Sequence, residues 1–447
     1  MDPLPASFTD GAALSHTDVL MNDISRRLSK TELIDRLLPR FLRYVQVWTT
    51  SDRHISDTPS TPGQWDLAKT IEAELRALTG LPSGSEITLT DHCYVLARIP
   101  ATKGKEKAPV VGFMAHLDTS SDVSGKDVKP LLFKNYDGKT ITLAENRSID
   151  PAAYPSLADR VGDTIITSDG TTLLGADDKA GVAELMAALE HFLVHPELEH
   201  GPLEFIFTPD EETGKGLPEF PRDLVRSVAC YTMDGGDQGE LEAECFTAWK
   251  ADIEITGKVI HLGTARGKMA NAVSMAAAYI TMLPRSESPE STDGYYGYYC
   301  PLEIRGDLEK ANLEVFLRDF DQVEMDRRVA SLNTFARAVE AQFPGGKISV
   351  KPQMQYLNMK RKLDAEPRVL DLLVRAAQKA GVEPHFKPIR GGTDGSRLTE
   401  MGIPTPNVYT GGHNYHSRDE WAGLAEMVAA TETLIELIRL WADETAK

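Results

Sequence analysis

The chain alternates between two kinds of segment, and this alternation limits what it can fold into. Short apolar runs at residues 110–115, 203–207, 228–233 and 405–409 read as buried strands. Between and around them, apolar residues recur at helical spacing: Leu33, Leu37, Phe41 and Val45; Leu67, Ile71, Leu75 and Leu78; Val182, Leu185, Met186, Leu189 and Phe192; and a last amphipathic run from Met427 to Trp441. Strands separated by helices require βαβ units, so the expected fold is α/β, a mostly parallel sheet with helices on both faces. The middle of the chain breaks this rhythm. Ala251, Ile253 and Ile255 alternate with polar residues, and the order β-α-β-β-α-β over residues 246–358 is that of a ferredoxin-like α+β unit. The expected organisation is an outer unit of residues 31–245 and 359–447, an inserted unit of residues 246–358, and a loosely ordered extension over residues 1–30.

Composition removes several classes of function. The 447 residues carry 48 Lys and Arg against 67 Asp and Glu, a net charge of −19. That argues against a nucleic-acid binder and offers no basic stripe to an anionic membrane. No apolar run approaches the length of a membrane span, and the N-terminus lacks the apolar core of a signal peptide. The four cysteines, Cys93, Cys230, Cys245 and Cys300, lie far apart, without the spacing of a zinc knuckle or a disulfide framework. A cytoplasmic protein is the expectation.

Acidic and histidine residues cluster just after the expected strands, where open α/β sheets place their ligands. His116 and Asp118 follow the first run. Asp177 and Asp178 join a strand to a helix, Asp210, Glu211 and Glu212 follow the next strand, Asp234 ends another, and His413 and His416 follow the last. Alone, a histidine after a strand is as easily structural, and three consecutive carboxylates usually make a solvated turn. Together they would repel in one crevice unless a cation neutralised them. Imidazole and carboxylate without thiolate suit zinc, manganese or cobalt.

These residues sit in the strings GFMAHLDTS, TLLGADDKAG, FTPDEETGKG, TMDGG, HLGTARG, IRGGTDGSRL and GGHNYH, which resemble, in order, the motifs of the co-catalytic zinc peptidases related to carboxypeptidase G and aminoacylase. The string PSTPGQW at residues 59–65 fits the tripeptide aminopeptidase branch. The resemblance runs from about Glu32 to the C-terminus. It implies a catalytic domain with an inserted lid that often pairs monomers, hence a homodimer, and an enzyme that cleaves the N-terminal residue from tripeptides. It implies two zinc ions per chain, with cobalt or manganese as substitutes. Asp177 would bridge them, His116 and Asp234 would complete one site, and Glu212 and His416 the other. Glu211 would be the general base, and Asp118 would orient His116 as a carboxylate behind the ligand. His261 would reach over from the inserted unit to the substrate carbonyl, although Leu262 stands where the family usually has proline.

Other residues keep two readings. The planar fork of Arg390 suits a substrate carboxylate. Arg318 and Asn271 are candidates for substrate contact, but an arginine at a strand end and an asparagine capping a helix need no ligand. Asp178 reads as a carboxylate favoured at a helix start, and Lys179 as its local charge partner. His191 and His195 are four residues apart on a helix but lack the glutamate of HExxH between them, so a helix-end role is the simpler reading. His413 is expected near the site, not in it. The competing functions are a related dipeptidase, carboxypeptidase or N-acyl-amino-acid deacylase, and an inactive binding protein; the presence of Glu211 and all five ligand candidates speaks against the last.

Overall fold

The computed structural model describes residues 16–445, with side chains from Lys30 onward. The larger sheet has eight strands in the spatial order Glu86–Leu89, Val95–Ile99, Leu203–Thr208, Val111–His116, Ala229–Gly235, Asn407–Tyr409, Glu240–Glu242, His385–Phe386. Its four central strands, Leu203–Thr208 to Asn407–Tyr409, are mutually parallel, and the strand next to them on each side, Val95–Ile99 and Glu240–Glu242, joins antiparallel. Leu203–Thr208 and Val111–His116 are buried along their whole length, which is why they read as continuous apolar runs.

The helix Ala176–Val194 packs on the central strands and is covered in turn by the helices His16–Tyr44 and Leu424–Ala442. It is therefore buried nearly all round, and small residues such as Ala180, Gly181, Ala183 and Ala187 let the sheet approach. A Cβ on Gly181 would meet the Met233 carbonyl oxygen at 2.2 Å. The first helix begins at His16, well before its apolar stripe, so part of the extension expected to be loosely ordered is helical; its residues 1–15 lie outside the described residues. Apolar spacing marks where a helix packs, not where it starts.

Residues 247–356 build a separate four-stranded antiparallel sheet, in the order Tyr298–Gly306, Lys310–Asp319, Thr247–Thr256, Lys347–Tyr356. The helices Ala272–Met282 and Gln322–Gln342 pack on this sheet. Ile253, Ile255, Met275, Tyr279, Leu313, Val315, Leu332 and Val339 form its own core. A third sheet of four two- or three-residue strands, Gly412–His413, Trp421–Gly423, Ile165–Thr167 and Leu131–Phe133, carries the chain into the loop after His413. Strands this short leave no periodicity to read. Among the described residues, no helix is long and apolar enough to cross a membrane.

Candidate metal centre

Parallel central strands deliver their carboxyl ends to one edge of the sheet. His116 ends Val111–His116, Asp234 lies in Ala229–Gly235, and the loop 210–213 follows Leu203–Thr208. Asp177 stands at the entrance to the helix behind them. Two groups of potential ligands result, His116 with Asp177 and Asp234, and Asp177 with Glu212 and His416, each with its donor atoms within 4.8 Å of one another. Asp177 belongs to both. Its Oδ1 is 2.8 Å from His116 Nε2, and its Oδ2 is 3.3 Å from His416 Nε2. Asp234 Oδ1 lies 3.6 Å from His116 Nε2, and Glu212 Oε1 lies 2.9 Å from His416 Nε2. The Glu212 oxygen is buried and makes no hydrogen bond despite that proximity. Converging acceptors around a shared carboxylate, without thiolate, are the donor set of a pair of divalent metals.

Buried groups behind these atoms hold them in place. Asp118, 0% exposed, lies with Oδ1 3.3 Å from His116 Nδ1. Its two oxygens also accept the backbone N–H groups of Glu211 and Glu212, at 3.0 and 3.1 Å. Asp178 stands in the first helical turn, as expected, accepting the Gly181 backbone N–H at 3.2 Å, but it is also buried and accepts the backbone N–H of His116 at 3.0 Å. Lys179 is buried too, and donates to the Val47 carbonyl at 2.7 Å rather than to a neighbouring acid. Glu420 accepts from the backbone N–H groups of Leu174, Gly175 and Asp177 and so fixes the turn that presents Asp177.

The string at residues 59–65 acts through Asp210. That residue is 0% exposed and sits at φ +61°, so the chain turns sharply just before Glu211. Its carboxylate accepts from the Ser60 backbone N–H at 2.7 Å and from Gln64 Nε2 at 2.7 Å, and its own N–H donates to Gln64 Oε1. Asp210→Asn would turn an acceptor pair into an amide whose NH₂ faces donors. The expected loss is about 1.5–3 kcal/mol, the scale of a hydrogen bond to a charged group, read from the denaturant midpoint. A drop in kcat should accompany it; unchanged stability and rate would show that the clamp does not position the loop.

The electrostatics follow from burying these acids together. Burial, with Asp234 nearby, pushes the Glu211 carboxyl well above the usual range. Burial and Asp177 push Glu212 up to about 7, and burial also raises Asp234 and takes Asp394 and Glu420 to about 7. For Asp177 burial acts in the same direction, but hydrogen bonds from His116 and His416 outweigh it and hold the group below its ordinary value. A divalent cation is the charge that lets the whole set ionise.

A cavity of about 440 Å³ opens over the cluster, lined by Asp177, Glu211, Glu212, Asp234 and His416, with Glu240, Glu242, Lys387, His413 and Tyr415 among its walls. His413 is in the wall, near the ligand groups and outside both. It is stacked on Trp421 at 3.7 Å and held between Asp237 and Glu426.

A model of Peptidase family M20/M25/M40 matches residues 170–440. The chain belongs to peptidase family M20. Within it, this M20 peptidase is 44% identical over 412 residues to Peptidase T of Geobacillus thermodenitrificans, covering 92% of this chain and 99% of that one. It is 42% identical, with the same coverage, to Peptidase T of Listeria monocytogenes. Among solved structures, aminopeptidase PepT from Bacillus cereus has a TM-score of 0.68 at 24% identity, with 92% of this chain and 99% of that chain covered. A tripeptidase from Staphylococcus aureus has a TM-score of 0.71 at 21% identity and the same coverage. These likenesses establish the fold expected from the sequence, and the chain is a metallopeptidase of the peptidase T group.

Four candidates from the sequence lie apart from the cavity. His261 is exposed, and its Nδ1 accepts the Gly263 backbone N–H. Asn271 caps the helix Ala272–Met282, accepting from Val273 and Ser274, so its side-chain oxygen is used locally. Arg318 is buried; it donates to the Trp249 and Leu317 carbonyls and lies over the Phe316 ring. Arg390 spends its terminal donors on Thr292, Gly294 and Tyr296 and lies over Phe246. Long side chains such as these find backbone partners that no sequence pattern announces. Asp210, Glu420 and Asp178 were the reverse, positioning groups whose roles need the folded backbone to be seen.

Proposed function

We propose that this M20 peptidase is a zinc-dependent aminopeptidase that releases the N-terminal residue from tripeptides. The observation that carries the reading is Asp177 shared between two ligand groups, with Glu211 beside them in the same cavity. His116 and Asp234 would hold one ion, Glu212 and His416 the other, and Asp177 both. When bound, such a pair polarises a carbonyl oxygen and acidifies a water. Glu211 takes the proton of the attacking water and returns it to the leaving amine. Asp118 holds His116 in one orientation and, through the N–H groups of Glu211 and Glu212, ties base and ligand to the same carboxylate. The acidic wall, Asp237, Glu240 and Glu242, suits a protonated substrate amine. Lys387 is the cationic side chain in the cavity wall, 2.9 Å from Glu240.

A matched series of di-, tri- and tetra-alanine, each with free and acetylated N-termini, tests the substrate class. The free tripeptide should be cleaved fastest, at its first bond. Activity should vanish on chelation and return with zinc, cobalt or manganese. Equal rates on all lengths would remove the tripeptide preference, and faster cleavage of the acetylated set would favour a deacylase or carboxypeptidase.

Among the described residues, none from 247–356 lines the cavity. In the proposed cycle this unit closes on bound substrate and carries His261 to the scissile carbonyl, excluding water. His261→Ala should then reduce kcat far more than it raises KM, because an oxyanion donor acts mainly in the transition state. A raised KM at unchanged kcat would make it a residue that only positions substrate.

A further inference from the structure

The helix that presents Asp177 at one end carries a second constellation at the other. His191 and His195 stand one turn apart, their rings 4.5 Å between centroids. Both carboxylate oxygens of Glu32, on the helix His16–Tyr44, lie 3.1 Å from His195 Nε2. One ring nitrogen from each histidine and a Glu32 oxygen fall within 4.8 Å of one another. We propose that Glu32, His191 and His195 form a binding site for a divalent transition-metal ion, separate from the cleft, that ties the first helix to the far end of the Asp177 helix. At 1.5 Å per residue, His191 is roughly 21 Å along the axis from Asp177.

Two further observations point to a ligand. His191 is 7% exposed, and among the described residues its buried Nδ1 has no hydrogen-bond partner. An ordinary helix-end imidazole has no reason to be held this way. On His195, Nδ1 is 3.1 Å from Glu197 Oε1 while Nε2 faces Glu32. A carboxylate on the far ring nitrogen is how proteins orient a metal-ligating histidine, here with Nε2 turned toward the Glu32 carboxylate. Arg36 donates to Glu32 at 2.6 Å and fixes its rotamer in the same manner. Two imidazoles and one carboxylate favour zinc, nickel or copper over magnesium or calcium.

The full chain is dialysed against zinc, and its bound metal is counted by elemental analysis. Wild type is compared with Glu32→Ala, His195→Ala and His191→Phe, and peptide hydrolysis is assayed on the same samples. The expected result is one equivalent less zinc per chain in each variant, at unchanged kcat. Because the measure is a difference, it holds whatever number of ions the cleft takes. Equal zinc in all four proteins overturns the proposal, and so does a loss of zinc that tracks a loss of hydrolysis. Glu32 and His195 are only partly buried, so their variants decide the matter if His191→Phe fails to fold.

Discussion

Glu211→Gln should lower kcat by about 10²–10⁴-fold, the usual contribution of a positioned general acid–base, while leaving the metal content of the protein intact. The glutamine keeps the shape of the side chain, and the backbone N–H of residue 211 still donates to Asp118, so the loop has no reason to move. Glu212→Gln is the matched control. Glu212 faces His416 and shares its ligand group with Asp177, so its loss should lower metal occupancy as well as rate. Elemental analysis beside steady-state kinetics separates the two. A Glu211→Gln variant of nearly normal rate would show that the adjacent acids have the opposite roles.

Asp177→Ala should abolish measurable hydrolysis and deplete metal at both positions together. Asp177 is the one residue common to the two ligand groups, so its removal takes a donor from each and leaves His116 and His416 facing a gap. His116→Ala, by contrast, removes a donor from one group only and should leave residual metal on the Glu212 side. Because metal binding needs deprotonated ligands, both occupancies should also fall in acid. Equal, undiminished metal content in Asp177→Ala would rule out a bridging role.

The architecture was legible wherever burial is uniform. Phe113 to His116 and Phe205 to Thr208 are apolar or strand-end residues because water reaches neither face of those strands. The order of elements over residues 247–356 was legible for a related reason, since one face of that sheet is packed and the other is not. His116, Glu211, Glu212 and Asp234 were also visible, because they end or follow parallel strands of the large sheet; Asp177 and His416 instead follow strands of the small third sheet. What the sequence hid are the groups that act by position. Asp210 looked like one of three interchangeable acids until its φ of +61° and its grip on Ser60 and Gln64 set it apart. Glu420 is a lone acid in a polar loop, and its partners at residues 174–177 are distant in sequence. Arg390 and Arg318 offered a charge that could meet a substrate, yet their donors are met by nearby carbonyls across turns and strands no periodicity reveals.

The order in which the constellation is written into the chain has a consequence for biosynthesis. His116, Asp177, Glu212 and Asp234 come before the stretch 247–356, but His416, and the Glu420 that fixes the Asp177 turn, come well after it. A ribosome therefore releases the four early residues, and the whole stretch 247–356, before the second ligand group can close. The central sheet shares that delay, because Asn407–Tyr409 must slot beside Ala229–Gly235 after everything between them has emerged. Contacts so remote in sequence make for slow assembly. They also mean that a nascent chain lacks the second ligand group until His416 has emerged.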